Sequence, residues 1–354
     1  MIFLILSLFS ISCYNENNKE RSKLIIQIKE KETTYCTGEL VFNEEMQQFF
    51  DIRITDSVIF LTSQRNNSPI TVFSSQNLER LTDLGERGEG PESVDFPLFL
   101  KDISRKRTVE LFDLNRKCFI NIDYNFSQRD YRIKKERMPD SLWASINLNK
   151  ASDNLYFANG LVPFNKGLYF KWDGRASTKE WTPYYPKKKK KYDNDVTHLY
   201  RNSILVNKEK GLVVSTLMYF NRIIVFDFNG NILKDIQIGK KLNEPILENP
   251  EIAKFSKGTE MFFFNVVGTK NYFYCLWNRN EIGIKVSERK NSKIFVFDWD
   301  LNHISTIQLN RPLAGFDVDP YDKYILGLFS NDQEDTSIYK FTLKPTKIHN
   351  SSLE

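Results

Sequence analysis

Six short apolar runs, each closing on an aromatic residue, recur along the chain and constrain its fold more than any other feature. They are Ile70–Ser74, Val109–Asp113, Tyr169–Asp173, Ile223–Asp227, Ile294–Asp298 and Ile338–Thr342. Their closing aromatics, Phe73, Phe112, Trp172, Phe226, Phe297 and Phe341, stand 39, 60, 54, 71 and 44 residues apart, an interval that fits a four-stranded unit with loop insertions. Each run reads as the third strand of such a unit. Asp113, Asp227 and Asp298 then open the turn into the fourth strand, because an Asx side chain can bond its own backbone two residues on. Aromatics make up 14% of the 354 residues and long helical patterns are scarce, which favours sheets packed face to face. The expectation is an all-β chain of six four-stranded antiparallel blades.

The neighbouring segments supply the other strands. Phe49 to Thr62 reads as two strands about the turn Thr55-Asp56-Ser57, and with Ile70 to Leu81 it gives one complete unit. Ser203–Asn207 and Leu212–Leu217 flank a Lys208-Glu209-Lys210-Gly211 turn. Leu313–Asp319 and Tyr324–Phe329 flank Pro320-Tyr321-Asp322-Lys323. The last unit has only three strands before a polar tail, residues 346–354, and an open sheet edge invites aggregation. An N-terminal strand is expected to close the ring, with Leu24 to Ile28 as the candidate. The propeller is placed at residues 23–345, behind a leader (1–12) and a polar tether (13–22).

Asp83 to Ser93 sets Gly85, Gly88, Gly90 and Pro91 between two strand-like runs, with Arg87 and Glu92 among them. Glycines permit positive φ and proline ends a ladder, so this is a loop with a defined shape. A phosphate cradle is disfavoured, since no Lys-Ser/Thr and no helical pattern follow. The motif Leu84-Gly85 followed by Gly88-Glu89-Gly90-Pro91-Glu92, with Phe316-Asp317-Val318-Asp319 in the last unit, resembles the six-bladed β-propeller lipoproteins of Bacteroidetes-type bacteria, of the TolB-like or NHL-like kind. The resemblance implies that the glycine loop joins the outermost strand of one blade to the innermost strand of the next. It implies a fold and a compartment, and it transfers no catalytic residue.

Met1 to Ser12 is apolar or hydroxylated throughout and falls short of the roughly 17 to 25 residues that span a bilayer, as signal-peptide cores do. It ends at Cys13, after a small residue and before the polar stretch Asn15 to Arg21, which looks like a bacterial lipoprotein acylation site. Several acyl chains on Cys13 would hold the protein to a membrane where one chain holds only marginally. The expected location is the outer membrane, on its periplasmic side, because Tyr14 to Asn18 carries a single acidic residue. Cys36, Cys118 and Cys275 lack metal or dithiol spacing and sit in or beside apolar runs, so they read as small buried hydrophobes with one disulfide optional.

Chemistry is sparse in the linear sequence. His198, His303 and His349 have no triad or metal-ligand spacing, and no Gly-x-Ser-x-Gly elbow occurs. No catalytic residue, metal or cofactor is indicated. Asp317, Asp319 and Asp322 lack the spacing of a calcium loop and read as turn formers. Net charge is +5, and five lysines, Lys187, Lys188, Lys189, Lys190 and Lys191, form one run after Pro183-Tyr184-Tyr185-Pro186, so no general nucleic-acid footprint emerges. That run suits either a solvated loop or contact with an anionic surface. Lys240 to Lys257 is a second insertion, expected to hold a short helix. The leading functional expectation is a monomeric binding or scaffolding module for an envelope protein or glycan. The alternative is an envelope hydrolase or lyase using carboxylates that meet across a central channel.

Overall fold

The computed structural model describes residues 23–26, 33–43, 47–88, 90, 93–101, 103, 108–125, 128, 130–161, 166–183, 198–240, 242, 245, 247–249, 254–333 and 335–343. Three N-terminal strands come first: β1 (Lys23–Ile26), β2 (Thr33–Cys36) and β3 (Glu39–Asn43). Blade one holds β4 (Phe49–Ile54), β5 (Val58–Ser63), β6 (Ile70–Ser74) and β7 (Arg80–Leu84). Blade two holds β8 (Pro97–Phe99), β9 (Thr108–Asp113), β10 (Cys118–Asn125) and β11 (Asp130–Arg137). Blade three is β12 (Ser145–Ser152), β13 (Leu155–Gly160), β14 (Tyr169–Asp173) and β15 (Thr178–Thr182). Blade four is β16 (Asn202–Asn207), β17 (Leu212–Leu217), β18 (Arg222–Asp227) and β19 (Ile232–Ile238). After a small ribbon of β20 (Leu247–Asn249) and β21 (Lys254–Phe255), blade five runs through β22 (Glu260–Gly268), β23 (Tyr272–Glu281), β24 (Lys293–Asp298) and β25 (His303–Leu309). Blade six adds β26 (Gly315–Val318), β27 (Tyr324–Ser330) and β28 (Thr336–Thr342).

Every blade is an antiparallel meander, and its first strand lies against the first strands of its neighbours, so six inner strands ring a central channel. The core is divided accordingly. Each pair of adjacent blades shares one cluster of buried apolar side chains, such as Phe60, Val72, Leu111 and Ile122 between blades one and two. Leu326, Ile59 and Phe73 do the same between blades six and one. Blades four and five share the most aromatic of these layers, where Phe273 stacks on Phe297 at 5.0 Å. Burying one such ring contributes about 1.5–3 kcal/mol, which explains why the closing aromatics recur in the sequence. Among the described residues no helix is long and apolar enough to cross a membrane.

The ring is closed by an N-terminal strand, as expected, but the strand is β3. It pairs antiparallel with β28, Phe42 opposite Ile338 and Asn43 opposite Ser337, and supplies the missing outer strand of blade six. β1, the more apolar segment, instead lies parallel to β19 at the rim of blade four, with Lys23 opposite Asp235. β2 lies parallel to β25 at the rim of blade five. An outermost strand is half-exposed, so the closing strand needs no strong apolar signature.

Two other expectations are corrected. Five of the six aromatic-closed runs are third strands, whereas Val109–Asp113 falls in β9, the second strand of blade two. The third strand there is β10, and counting Tyr124 in place of Phe112 makes the first intervals 51 and 48 residues. Within 240–257, the described residues form the β20–β21 ribbon rather than a helix, because Pro245 and Pro250 remove donors that a helix would need. Cys36, Cys118 and Cys275 are all free, which settles the optional disulfide, and complete burial pushes the Cys275 thiol well up.

Candidate functional site

The glycine loop runs from β7 of blade one to β8 of blade two, the expected connection between an outermost and an innermost strand. Gly85 turns the chain at φ 74°, and a Cβ there would meet Val94 Cγ2 at 3.1 Å, so glycine is required twice over. Gly88 takes φ 146°, and the Gly90 carbonyl accepts from Ser93 N at 3.0 Å. Arg87 points inward as a clamp. Its guanidinium donates to the carbonyls of Ser63 (2.9 Å), Asn66 (2.9 Å) and Asp95 (2.5 Å), fastening the turn between β5 and β6 to the inter-blade loop. Pro91 and Glu92 lie outside the described residues, as does Cys13. The same holds for the whole lysine run, Lys187, Lys188, Lys189, Lys190 and Lys191, on which the expected contact with an anionic surface falls.

The turn-forming aspartates bond their own backbone as the spacing predicts, although Asp113 opens the turn from the second to the third strand of blade two rather than into the fourth. Asp113, Asp227 and Asp298 each accept from two backbone N–H groups just downstream. Asp319 does likewise, from Tyr321 and Lys323. Its neighbours differ. Asp322 sits at φ 59° and accepts from Tyr274 Oη and Asn271 Nδ2 of blade five, so it ties two blades together. Asp317 accepts from Ile54 N of blade one at 2.7 Å, pinning the innermost strands across the closure of the ring.

Asp317 belongs to a charged cluster at the channel that no linear motif announces. In β4 the two-residue period of a strand sends Asp51 and Arg53 to the channel and Ile52 and Ile54 to the core. Lys101, just beyond β8, bridges Asn149 of blade three and extends its ammonium across the channel. There it donates to Ser203 Oγ of blade four (3.0 Å) and to Asn265 Oδ1 of blade five (2.9 Å). Blades two and five face each other across the ring, so this side chain is a strut through the channel. Burial pushes the Asp51 carboxyl up to about 6, against the opposing pull of Lys101 and of the Ile52 N–H, while Asp317 adds to the rise. Burial also draws the Lys101 ammonium down to about 8, with Asp51 working against it and Arg53 reinforcing it. These two groups are surrounded by protein yet remain only half-buried by exposure, because the channel reaches them.

Beside Arg53 the channel opens into a cleft of about 240 Å³ on the face that carries the turns between first and second strands. The glycine loop is on the opposite face. Blades one to four all contribute to the cleft, including Thr55, Thr108, Glu110, Lys150, Ser152 and Lys208. Lys150 Nζ is shared between Glu110 Oε1 (3.2 Å) and Asp153 Oδ1 (3.3 Å). Burial alone would lower its pKa, but Glu110 and Asp153 outweigh that and hold the ammonium above the usual lysine value. The cleft was invisible in the linear sequence because its parts come from four blades. The one available signal was the alternation of charged with apolar residues in Asp51-Ile52-Arg53-Ile54.

No curated protein matches the chain. Among solved structures it is similar to a member of the DUF4221 family from Bacteroides vulgatus, at 13% identity and a TM-score of 0.56, covering 87% of this chain and 98% of that one. It is also similar to a protein from Bacteroides fragilis described as exported, at 13% identity and a TM-score of 0.51, covering 92% of this chain and 99% of the other. At such identities the likeness is one of fold. The family model for TolB-like 6-blade propeller-like proteins matches residues 27–321, so the chain belongs to that TolB-like propeller family.

Proposed function

We propose that this chain is an envelope-anchored binding or scaffolding propeller that receives a protein or glycan partner on the cleft face. The observation that carries this reading is the Lys101 strut. It crosses the channel with a side chain already committed to Ser203 and Asn265, while the cleft beside Arg53 is a recess open to a partner. The compartment follows from the apolar leader before Cys13, and the similar fold of an exported Bacteroides fragilis protein is consistent with it. Acylated Cys13 holds the propeller to the outer membrane on the periplasmic side, and Lys187–Lys191 adds contact with anionic surfaces.

The test is a cross-linking pull-down from native envelopes with the Cys13-anchored protein as bait, beside a variant in which Lys187, Lys188, Lys189, Lys190 and Lys191 are neutralised. The expected result is a stoichiometric partner whose cross-links map to the turns at 152–154 and 207–211. Cross-links confined to the glycine-loop face, or no specific partner, would overturn the reading. A second reading, a hydrolase or lyase working in the channel, is favoured by one observation. The Asp51 carboxyl at about 6 is poised to exchange a proton near neutral pH. It requires glycan-cleaving activity that Asp51→Asn abolishes.

A further inference from the structure

Resting on that binding reading, we infer that the cleft takes an uncharged, polyhydroxylated ligand, the terminal sugar ring of a glycan. Size sets the first limit. At about 240 Å³ the recess lies below the roughly 300–1,000 Å³ of sites for drug-sized molecules, and it suits a single ring better than an extended chain.

Charge sets the second. The lining places Arg53, Lys150 and Lys208 against Glu110 and Asp153. Directly behind it, Lys101 is set against Asp51 and Asp317. Among the described residues the two groups together hold four cations and four carboxylates, so these side chains present no net charge to an anion or a cation. Small charged ligands gain most from a surplus of the opposite sign, which these described groups do not hold.

Hydrogen-bonding capacity sets the third. A sugar hydroxyl both donates and accepts, and the Lys150–Glu110 pair offers an ammonium and a carboxylate 3.2 Å apart, so adjacent hydroxyls can donate to one and accept from the other. Thr55, Thr108 and Ser152 extend that capacity with hydroxyls of their own. Leu100, Val109 and Ala151 give a small apolar floor for the C–H face of a ring. A protein segment would need a longer groove or an apolar anchor pocket, and this recess has neither its length nor an aromatic in its lining.

Ligand-observed NMR titration of the full chain tests the assignment, using the methyl glycosides of glucose, galactose, mannose and N-acetylglucosamine, with glucuronate and glucose 6-phosphate as charged comparators. At least one methyl glycoside should bind saturably, with affinity changing less than about twofold between roughly 50 and 500 mM salt, since no counter-ion screening opposes it. Ser152→Trp, at an exposed lining position, should weaken that binding by about tenfold or more, equal to about 1.4 kcal/mol. The double variant Lys150→Ala with Glu110→Ala should do the same, and both should be compared by thermal unfolding to confirm that they fold. The inference is overturned if none of the four glycosides binds, if the two variants bind as wild type does, or if a charged comparator binds more tightly in a salt-sensitive way. A partner captured at the cleft face while every glycoside fails would remove the sugar assignment and leave the binding reading standing. Loss of the partner from that face would remove the binding reading itself.

Discussion

Replacing Arg87 with alanine probes whether the glycine loop is an architectural clamp. The guanidinium makes three bonds to main-chain carbonyls, to Ser63 and Asn66 on one side and Asp95 on the other, and a fourth to the Asp95 carboxylate at 3.4 Å. A bond to a charged donor contributes about 1.5–3 kcal/mol, but the contributions are not additive when one group makes them all. The Arg87 side chain keeps 27% exposure, so water would satisfy some of the abandoned carbonyls. A net loss of about 2–4 kcal/mol is therefore expected. At roughly 2.1 cal/mol/K per residue over about 320 residues, the melting temperature should fall by about 3–6 °C. Arg87→Lys should recover less than half of it, because one ammonium cannot span carbonyls on two sides of the loop. Differential scanning calorimetry of the three proteins at neutral pH gives the answer. A melting temperature for Arg87→Ala within about 1 °C of wild type would refute the clamp, as would full rescue by lysine.

Four further outcomes follow. Phe42→Pro, in the strand that closes blade six, should cost about 5 kcal/mol or more, since it breaks the β3–β28 ladder and removes a ring packed on Phe49 and Phe73. Deleting Lys23–Ile26, the strand at the rim of blade four, should shift thermal unfolding far less. Asp317→Ala should cost about 1–3 kcal/mol by removing the buried bond that Ile54 N donates to it, whereas Asp317→Asn should cost clearly less because an amide oxygen can still accept that bond; urea unfolding separates the two. For Asp51, the folded pKa of about 6 exceeds its ordinary value near 4, so the folded state holds more protons between them. Stability should fall as pH rises from about 4 to about 6, and Asp51→Asn should flatten that limb of a stability-versus-pH curve.

Most blades were legible because their middle strands are buried on both faces, as in β5, β6 and β17, and such a strand writes itself as a short apolar run. Blade two was misread for a physical reason. Its first strand, Pro97–Phe99, is three residues long, and its third closes on Asp123-Tyr124, so the aromatic-then-aspartate order appears one strand early. Ring closure was assigned to the wrong segment because Lys23-Leu24-Ile25-Ile26 is more apolar than Glu39-Leu40-Val41-Phe42-Asn43, while an outer strand is specified by its backbone ladder. The glycine loop was legible from its three glycines and a proline between two strand-like runs, yet the role of Arg87 required three carbonyls from two segments. Lys101 and Asp51 lie 50 residues apart on different blades, and neither carries a local signature of facing the channel.

The N-terminal strands visit blades four, five and six in turn, the half of the propeller that is translated last. On an emerging chain, β1 to β3 have no partner until residues far downstream appear, and Phe42 waits for Ile338 nearly three hundred positions away. Contacts of such long range are slow to form, and an unpaired strand is exposed meanwhile. These three strands are thus the last to be ordered, and the ring has no means of locking until its C-terminal blade has arrived.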